Sequence, residues 1–372
     1  MRTVGVEEEF LLLDAHRDDS RPTAAEVLLL ATPLTGQDGT RSGTATEGSL
    51  VAELKQQQLE SNSSPHTTMS SLVADLSSWR RKAATAAERA GARLLASGTS
   101  PVPVVPLQVH TDRYDRMDRQ FGLLSREHLT CGCHVHVAVD SDEEAVGVLD
   151  RIRAWLPVLL ALSANSPLWQ GGDSDYASWR TQVMGRWPGA GPIDVLGSAD
   201  RYHALVESMI RTGVLLDDGM VYFDARVSVA NPTVEIRVPD VCLDVGDTIL
   251  VASLTRALVE TAARAWAAGE APPDVPSDLI RLATWRASRF GIDGDLLDPL
   301  ACTSVAPRSA VGALVEHVRE ALRDAGDEEL VTHRIERLFT LGNGARRQRR
   351  ALQESGLDGV VEMLVVDTVA GA

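Results

Sequence analysis

The stretch Gly5-Val6-Glu7-Glu8-Glu9-Phe10 sets three carboxylates in a row between apolar residues, and few local structures accommodate that. In an extended strand successive side chains point to opposite faces, so Glu7 and Glu9 share one face while Val6, Glu8 and Phe10 share the other. Two parallel carboxylates on one side of a sheet repel unless a cation or a proton lies between them.

The same alternation recurs three times. In Leu54 to Asn62, read as one strand, Gln56, Gln58, Glu60 and Asn62 fall on one face and Leu59 on the other. In Gly132-Cys133-His134-Val135-His136-Val137 both histidines point one way, and in Thr233 to Val238 Glu235 and Arg237 oppose Val234, Ile236 and Val238. Any one such stretch is most simply the solvated face of an antiparallel sheet. Surface strands, however, are normally filled with Thr, Lys, Ser and Arg, and four strands rich in acids and imidazoles suggest one ionisable wall.

Over 372 residues, 44% hydrophobic and 24% charged content is ordinary for a globular protein. The formal net charge of −16 argues against nucleic acid or an anionic membrane as partner. The single basic run, Arg346-Arg347-Gln348-Arg349-Arg350, reads as a solvated helix face. The most apolar run, Ala154 to Ala164, is too short to span a bilayer and is interrupted by Pro157. The opening residues pass at once into a strand pattern without a basic-then-apolar leader, so a cytoplasmic location is expected. Cys131-Gly132-Cys133-His134-Val135-His136 resembles a zinc site, but alternation puts thiols and imidazoles on opposite faces, so four-ligand zinc would need a local bend.

Along the chain, Asp18 to Arg21 reads as a turn and Pro22 to Leu30 as a short helix or a strand-edge crossing. Gly36 to Gly48 is Gly-, Thr- and Ser-rich, a loop. Three- and four-residue spacing of Leu72, Val73, Leu76, Trp79, Ala83 and Ala87 predicts a helix from Met69 to Leu95. Leu94 to Val105 reads as a buried strand closed by prolines, and Tyr114 to Arg126 as a helix. A further helix, capped by Asp140, Ser141 or Asp142, is expected to reach Asn165 with a kink at Pro157. After a helix over Arg201 to Thr212 and a hairpin near Met220 to Val229, the chain beyond Asp244 is nearly all helical, ending with Ala345 to Ser355. The fold class is α+β: one domain over 1–372, an antiparallel sheet with a helical carboxyl-terminal third covering its apolar side.

Clustered Glu and His facing a cleft suit divalent cations, Mg²⁺ through carboxylates, phosphates and water, with imidazole favouring tolerance of Mn²⁺. Arg237 on the same face could neutralise a phosphoryl oxygen. With no Gly-rich phosphate loop of the Walker type, the pattern points to a metal-held nucleotide.

Gly5 to Phe10, Gln57-Gln58-Leu59-Glu60, Cys133 to Val137, Ala164-Asn165-Ser166-Pro167 with Ser178-Trp179-Arg180, and Val234 to Arg237 with Asp240 follow one another in the order seen in carboxylate-amine ligases. More narrowly, the chain resembles the bacterial type 2 glutamate-cysteine ligases, the YbdK-like group, and Gly344-Ala345 with Gln348-Arg349 extends the likeness to the last helix. The resemblance implies a glutamine-synthetase-like fold, a curved antiparallel sheet holding two or three Mg²⁺ ions. It also implies ATP-dependent phosphorylation of a carboxylate, most readily the γ-carboxyl of glutamate, and attack by an amine such as cysteine. It assigns Glu7, Glu9, Glu60, His134 and Glu235 to metal. Glu53 matches a further metal-binding acid, although its odd spacing from Glu60 requires a bulge or bend. Arg237 and Glu60 are implied in the chemistry, His136 with Arg237 in nucleotide binding, and Arg180, Asn165 and Gln57 in substrate binding. A homodimer is implied as well. The loops at Gly36 to Gly48 and Asn165 to Arg180 are expected to act as lids, keeping water from an acyl phosphate. Two other readings of the same residues are a metal-dependent hydrolase and a non-catalytic descendant of the fold.

Overall fold

The computed structural model describes residues 1–14, 24–35 and 48–370. The expected turn at Asp18 to Arg21 and all but the end of the Gly36 to Gly48 loop lie outside those residues.

Strand β1 (Val4–Asp14) is the axis of a seven-stranded sheet. Its partners on the acid-bearing half are β3 (Gln58–Asn62) and β5 (Cys133–Ala138), and β2 (Ser49–Ala52) pairs with β3. The far end of β1, Leu11 to Asp14, pairs with β4 (Ala92–Leu95). A small ribbon, β6 (Leu168–Trp169) with β7 (Gly172–Asp173), stands apart. The main sheet finishes with the hairpin β8 (Ala225–Val227) and β9 (Thr233–Ile236), giving the order β2-β3-β1-β5-β9-β8 with every pair antiparallel. The segment read as one strand from Leu54 to Asn62 is two pieces, since the chain turns at Lys55 to Gln57 before β3 begins.

Helix α1 (Ala24–Thr35) resolves the Pro22 to Leu30 ambiguity in favour of helix, and α2 (Met69–Arg89) packs against it. Beyond β4 the prolines hold the chain irregular, so the expected long strand is confined to Ala92–Leu95. Gly122 splits the next helix into α3 (Asp112–Phe121) and α4 (Leu123–Glu127). Ser141 caps α5 (Asp142–Ile152) by accepting from the Glu144 amide at 3.1 Å. The expected kink at Pro157 is a full break: a 3₁₀ turn over Arg153–Trp155, then α6 (Leu156–Ser163) with proline in its first turn, where the missing N–H costs nothing. After α7 (Trp179–Met184) and α8 (Ala199–Arg211), α9 (Val245–Ala267) runs through the protein, buried for most of its length. It is followed by α10 (Ser277–Phe290), α11 (Pro307–His317), α12 (Arg319–Ala325), α13 (Glu328–Leu341) and α14 (Gly344–Val369). The last helix outruns the expected Ala345 to Ser355 because Gly356, at φ 67°, bends the chain without ending it. No helix among the described residues is long and apolar enough to cross a membrane.

Two apolar clusters underlie the sheet. Val4, Val6, Val135, Val137, Val234 and Ile236 pack with α5, α6 and α9, while Phe10, Leu12 and Leu59 pack with α1, α2 and the end of α14. Glu8 lies between Val6 and Phe10 on this buried face and is fully enclosed. Its carboxylate accepts from Arg80 Nε at 2.9 Å, Arg80 Nη2 at 2.6 Å and Thr248 Oγ1 at 2.7 Å. Arg80 also donates to the carbonyls of Cys242, Leu243 and Thr368, so one guanidinium joins α2 to β1, the lead into α9 and the end of α14. The run Arg346 to Arg350 is likewise tied down rather than merely solvated, with Arg347 on Asp244 and Asp367, Arg349 on Asp173 and Arg346 on Asp293.

Arg80→Met removes the buried cation and leaves Glu8 charged in an apolar setting. Loss of about 3–5 kcal/mol is expected in urea unfolding, and a midpoint within error of wild type would show that the pair does not hold the two clusters together.

Candidate active site

Register brings the polar faces together. Glu7 sits opposite His134, Glu9 opposite Glu60, and His136 opposite Glu235. Glu53, expected on the wrong face of a straight strand, follows β2 just before the turn at Lys55 to Gln57, and that reversal supplies the required bend. Ligand atoms of Glu9, Glu53 and Glu60 all lie within 4.8 Å of one another, and so do those of Glu7, His136 and Glu235. The two histidines differ from expectation: His136 completes the second triad, whereas His134 spans the two. Its Nδ1 is 3.2 Å from Glu7 Oε2 and its Nε2 4.0 Å from Glu9 Oε1.

The triads differ in charge. Burial alone would raise Glu235, but Arg237, His136 and Arg226 outweigh it and hold the carboxyl at about 2. Arg226 clasps Glu235 through Nε at 2.6 Å and Nη2 at 3.1 Å, and Arg237 contacts the same carboxylate. Burial also opposes ionisation of Glu7, yet His136 and His134 pull it well below the usual range, while His136 rises against its own burial because Glu7 is beside it. His134 is lowered to about 4 by burial and by Arg237. On the other side burial and Glu53 lift Glu9 to about 7, and burial with Glu7 and Glu53 lifts Glu60 well above a normal carboxylate. One triad is balanced by arginines; the other is acid crowded on acid.

A 220 Å³ cavity opens over this wall, roofed by Arg113, Tyr114 and Tyr222. A second cavity, of 320 Å³, adjoins it and shares Arg180, Met184, Tyr222 and Arg237 as lining. Arg180 is buried, donates to the carbonyls of Arg237 and Val238, and keeps an Nε with no partner. Gly132 makes room for it, since a Cβ there would lie 2.3 Å from Arg180 Nη2. Two expected substrate residues are not at either cavity. The Gln57 amide donates to Val105 O and accepts from Leu107 N, and Asn165 donates to Ala96 O and Val241 O. The segment expected as a lid is fastened at both ends: Asp240 accepts from Asn165 N, Ser166 Oγ and Ser178 Oγ at 2.7–2.8 Å. Cys131 and Cys133 are core residues, in keeping with the alternation argument against zinc. Sequence reading missed Arg226, although alternation in Ala225-Arg226-Val227 and its register partner Glu235 would have identified it.

A family model for glutamate-cysteine ligase family 2 matches residues 3–365. The chain belongs to that family. It is 50% identical over 356 residues to a candidate glutamate-cysteine ligase 2-1 of Streptomyces avermitilis, covering 96% of each chain. A Frankia alni counterpart is 49% identical over 377 residues, covering all of this chain and 98% of its own. Among solved structures, the glutamate-cysteine ligase of Francisella tularensis in complex with AMP superposes with a TM-score of 0.68 at 12% identity, over 99% of this chain and 88% of that one, a likeness of fold. The protein is thus an ATP-dependent ligase of the carboxylate-amine class, with the expected antiparallel sheet and helical cover.

A divalent cation suits the residues present. His136 Nε2 is buried without a well-aligned hydrogen bond and Glu7 Oε1 is 3.2 Å away, so a divalent ion would take the place of the proton that otherwise pairs them. Three converging carboxylates, of which Glu9 and Glu60 are raised by burial and by their acidic neighbours, are the complementary case. Glu60→Gln is expected to weaken Mn²⁺ at one of two sites by at least roughly tenfold, read by electron paramagnetic resonance titration. Unchanged affinity and stoichiometry would remove Glu60 from the ligand set.

Proposed function

We propose that the enzyme joins the γ-carboxyl of glutamate to an amine, cysteine or a close relative, with ATP and Mg²⁺ and with Mn²⁺ tolerated. The observation that carries this reading is the pairing of two triads on one wall with a second cavity, joined through Arg237 and Arg180. Glu9, Glu53 and Glu60 would hold one ion and Glu7, His136 and Glu235 another. Bound there, the ions screen the phosphates of ATP from the incoming carboxylate, two anions that otherwise repel.

The protein's own part is placement and charge. Arg226 clasps both oxygens of Glu235 and Arg237 shares Oε1 with it, so Arg237 is held by one carboxylate contact and by its position over the Tyr222 ring, 6.0 Å from the centroid. From there it meets negative charge that grows on the phosphoryl group in flight. Arg180, with its unpartnered Nε between the cavities, suits the carboxylate being activated. The phosphoryl group passes to that carboxylate, ADP leaves, and the amine displaces phosphate from the resulting acyl phosphate. No side chain forms a covalent bond to substrate.

With ATP, Mg²⁺, glutamate and a panel of amines, ADP and phosphate should appear in step with a ligated product identified by mass spectrometry. Arg237→Ala should lower kcat by roughly 100-fold or more while the protein still binds Mn²⁺. Product formation without nucleotide, or no turnover with any amine, would refute the proposal.

A further inference from the structure

The second cavity contains polar groups that the fold itself does not use. Asp224 lies where β8 begins, and its backbone carbonyl accepts from Arg237 N at 2.9 Å, so it is the neighbour of the phosphoryl-facing arginine on the next segment. Its Oδ2 is buried with no hydrogen-bond partner. Burial lifts the carboxyl to about 7, and the charge that opposes this is Arg281. Arg281 makes no hydrogen bond or ion pair among the described residues and lies over Gly191, where a Cβ would be 3.3 Å from its Nη1. Asp224 N donates to Gly191 O at 3.1 Å, so acid and base flank one glycine. Thr284 Oγ1, also lining this cavity, is buried and unpartnered as well.

Buried polar atoms are ordinarily satisfied, and two orphans beside an unpaired guanidinium in one cavity mark a place where a ligand completes the set. The missing partner must offer a cation to Asp224 and an anion to Arg281 at short separation. An α-amino acid head group has that form. Resting on the ligase reading above, we infer that Asp224 and Arg281 bind the α-ammonium and α-carboxylate of the carboxylate-donating amino acid, leaving its side-chain carboxylate to reach Arg180 and Arg237.

The donor is favoured over the acceptor by chemistry. An ammonium held in an ion pair must give up a proton and leave that pairing before it can attack, whereas a donor keeps the pairing through the whole reaction. The donor's head group takes no part in the reaction. Its recognition there sets which carboxylic acids enter.

Two variants test this, Asp224→Asn in the cavity wall and Arg281→Met at an exposed position, each checked by its unfolding midpoint. In ADP-release assays each should raise KM for L-glutamate roughly 30-fold or more, with KM for ATP and for the amine within about twofold. Wild type should discriminate strongly against glutarate, which lacks the ammonium, and Asp224→Asn should lose most of that discrimination. Calorimetric titration of L-glutamate into wild type and both variants gives a readout independent of turnover. If wild type ligates and neither variant alters glutamate KM or affinity, or if the change falls on ATP or on the amine, the inference is wrong and the ligase reading stands. If wild type turns over no nucleotide yet binds L-glutamate in a manner dependent on Asp224 and Arg281, the head-group site stands and the ligase reading falls.

Discussion

Carboxylates at Glu7, Glu8 and Glu9 repel one another at strand spacing, and the fold resolves that repulsion in two ways. Alternation sends Glu8 into the interior, where Arg80 and Thr248 satisfy it with no access to water. Glu7 and Glu9 go to the other face, where no arginine engages them so completely. Because β1 is central and pairs on both sides, its register fixes Glu60, His134 and, through β5, Glu235. A slip by one residue would exchange the faces, bringing both Glu7 and Glu9 into the core, where the single Arg80 could satisfy only one of them, and moving Val6 and Phe10 out to the wall. The buried pair therefore contributes specificity of register as well as attraction.

The charge on the wall is divided unevenly, and the division has chemical meaning. Around Glu235 two arginines and His136 already balance the acids, so a cation there competes with resident positive charge and binds in a polarised but neutral setting. Among the described residues no guanidinium makes a direct contact with Glu9, Glu53 or Glu60, and burial with the neighbouring acids raises Glu9 and Glu60. A divalent ion at that end relieves repulsion that exists before it arrives. The two triads thus differ in resident charge, one held against arginines and the other made of acids alone.

What the sequence made legible was periodic. Alternation assigned the faces of β1, β5 and β9 and the separation of Cys133 from the imidazoles, and helical spacing located α2 and most of the carboxyl-terminal helices. What it hid depended on contacts between distant segments. Nothing local says that Arg80 belongs to Glu8 or that Asp224 and Arg281 flank Gly191. Glu53 looked misplaced because one strand was assumed where the chain turns at Lys55 to Gln57. Gln57 and Asn165 looked like substrate ligands because they fall in motifs, yet their amides satisfy backbone groups of loops that carry no strand partner. A motif marks residues that are needed together, and here part of that need is to hold the loops behind the site.

The walls of the reaction chamber are unequal in strength. On the side of the second cavity, buried Asp240 gathers Asn165, Ser166 and Ser178, and Arg180 lies 3.9 Å from it while donating to two carbonyls, so the Arg180 guanidinium stands on a dry network with only its Nε left over. On the opposite side α3 is held over the acid triad by Arg113, paired to Asp217 at 2.7 Å with both side chains about one-third exposed, and by Gln120 on the carbonyls of Gly213 and Val214. The Arg113 pair is bidentate, through Nε and Nη2, yet its partial exposure leaves it more open to screening by salt than the buried network around Asp240. Of the two walls, the α3 side yields at the lower cost. The two sides thus differ in how their charges are held, by a buried hydrogen-bonded network around Arg180 and by partly exposed contacts across the acid triad.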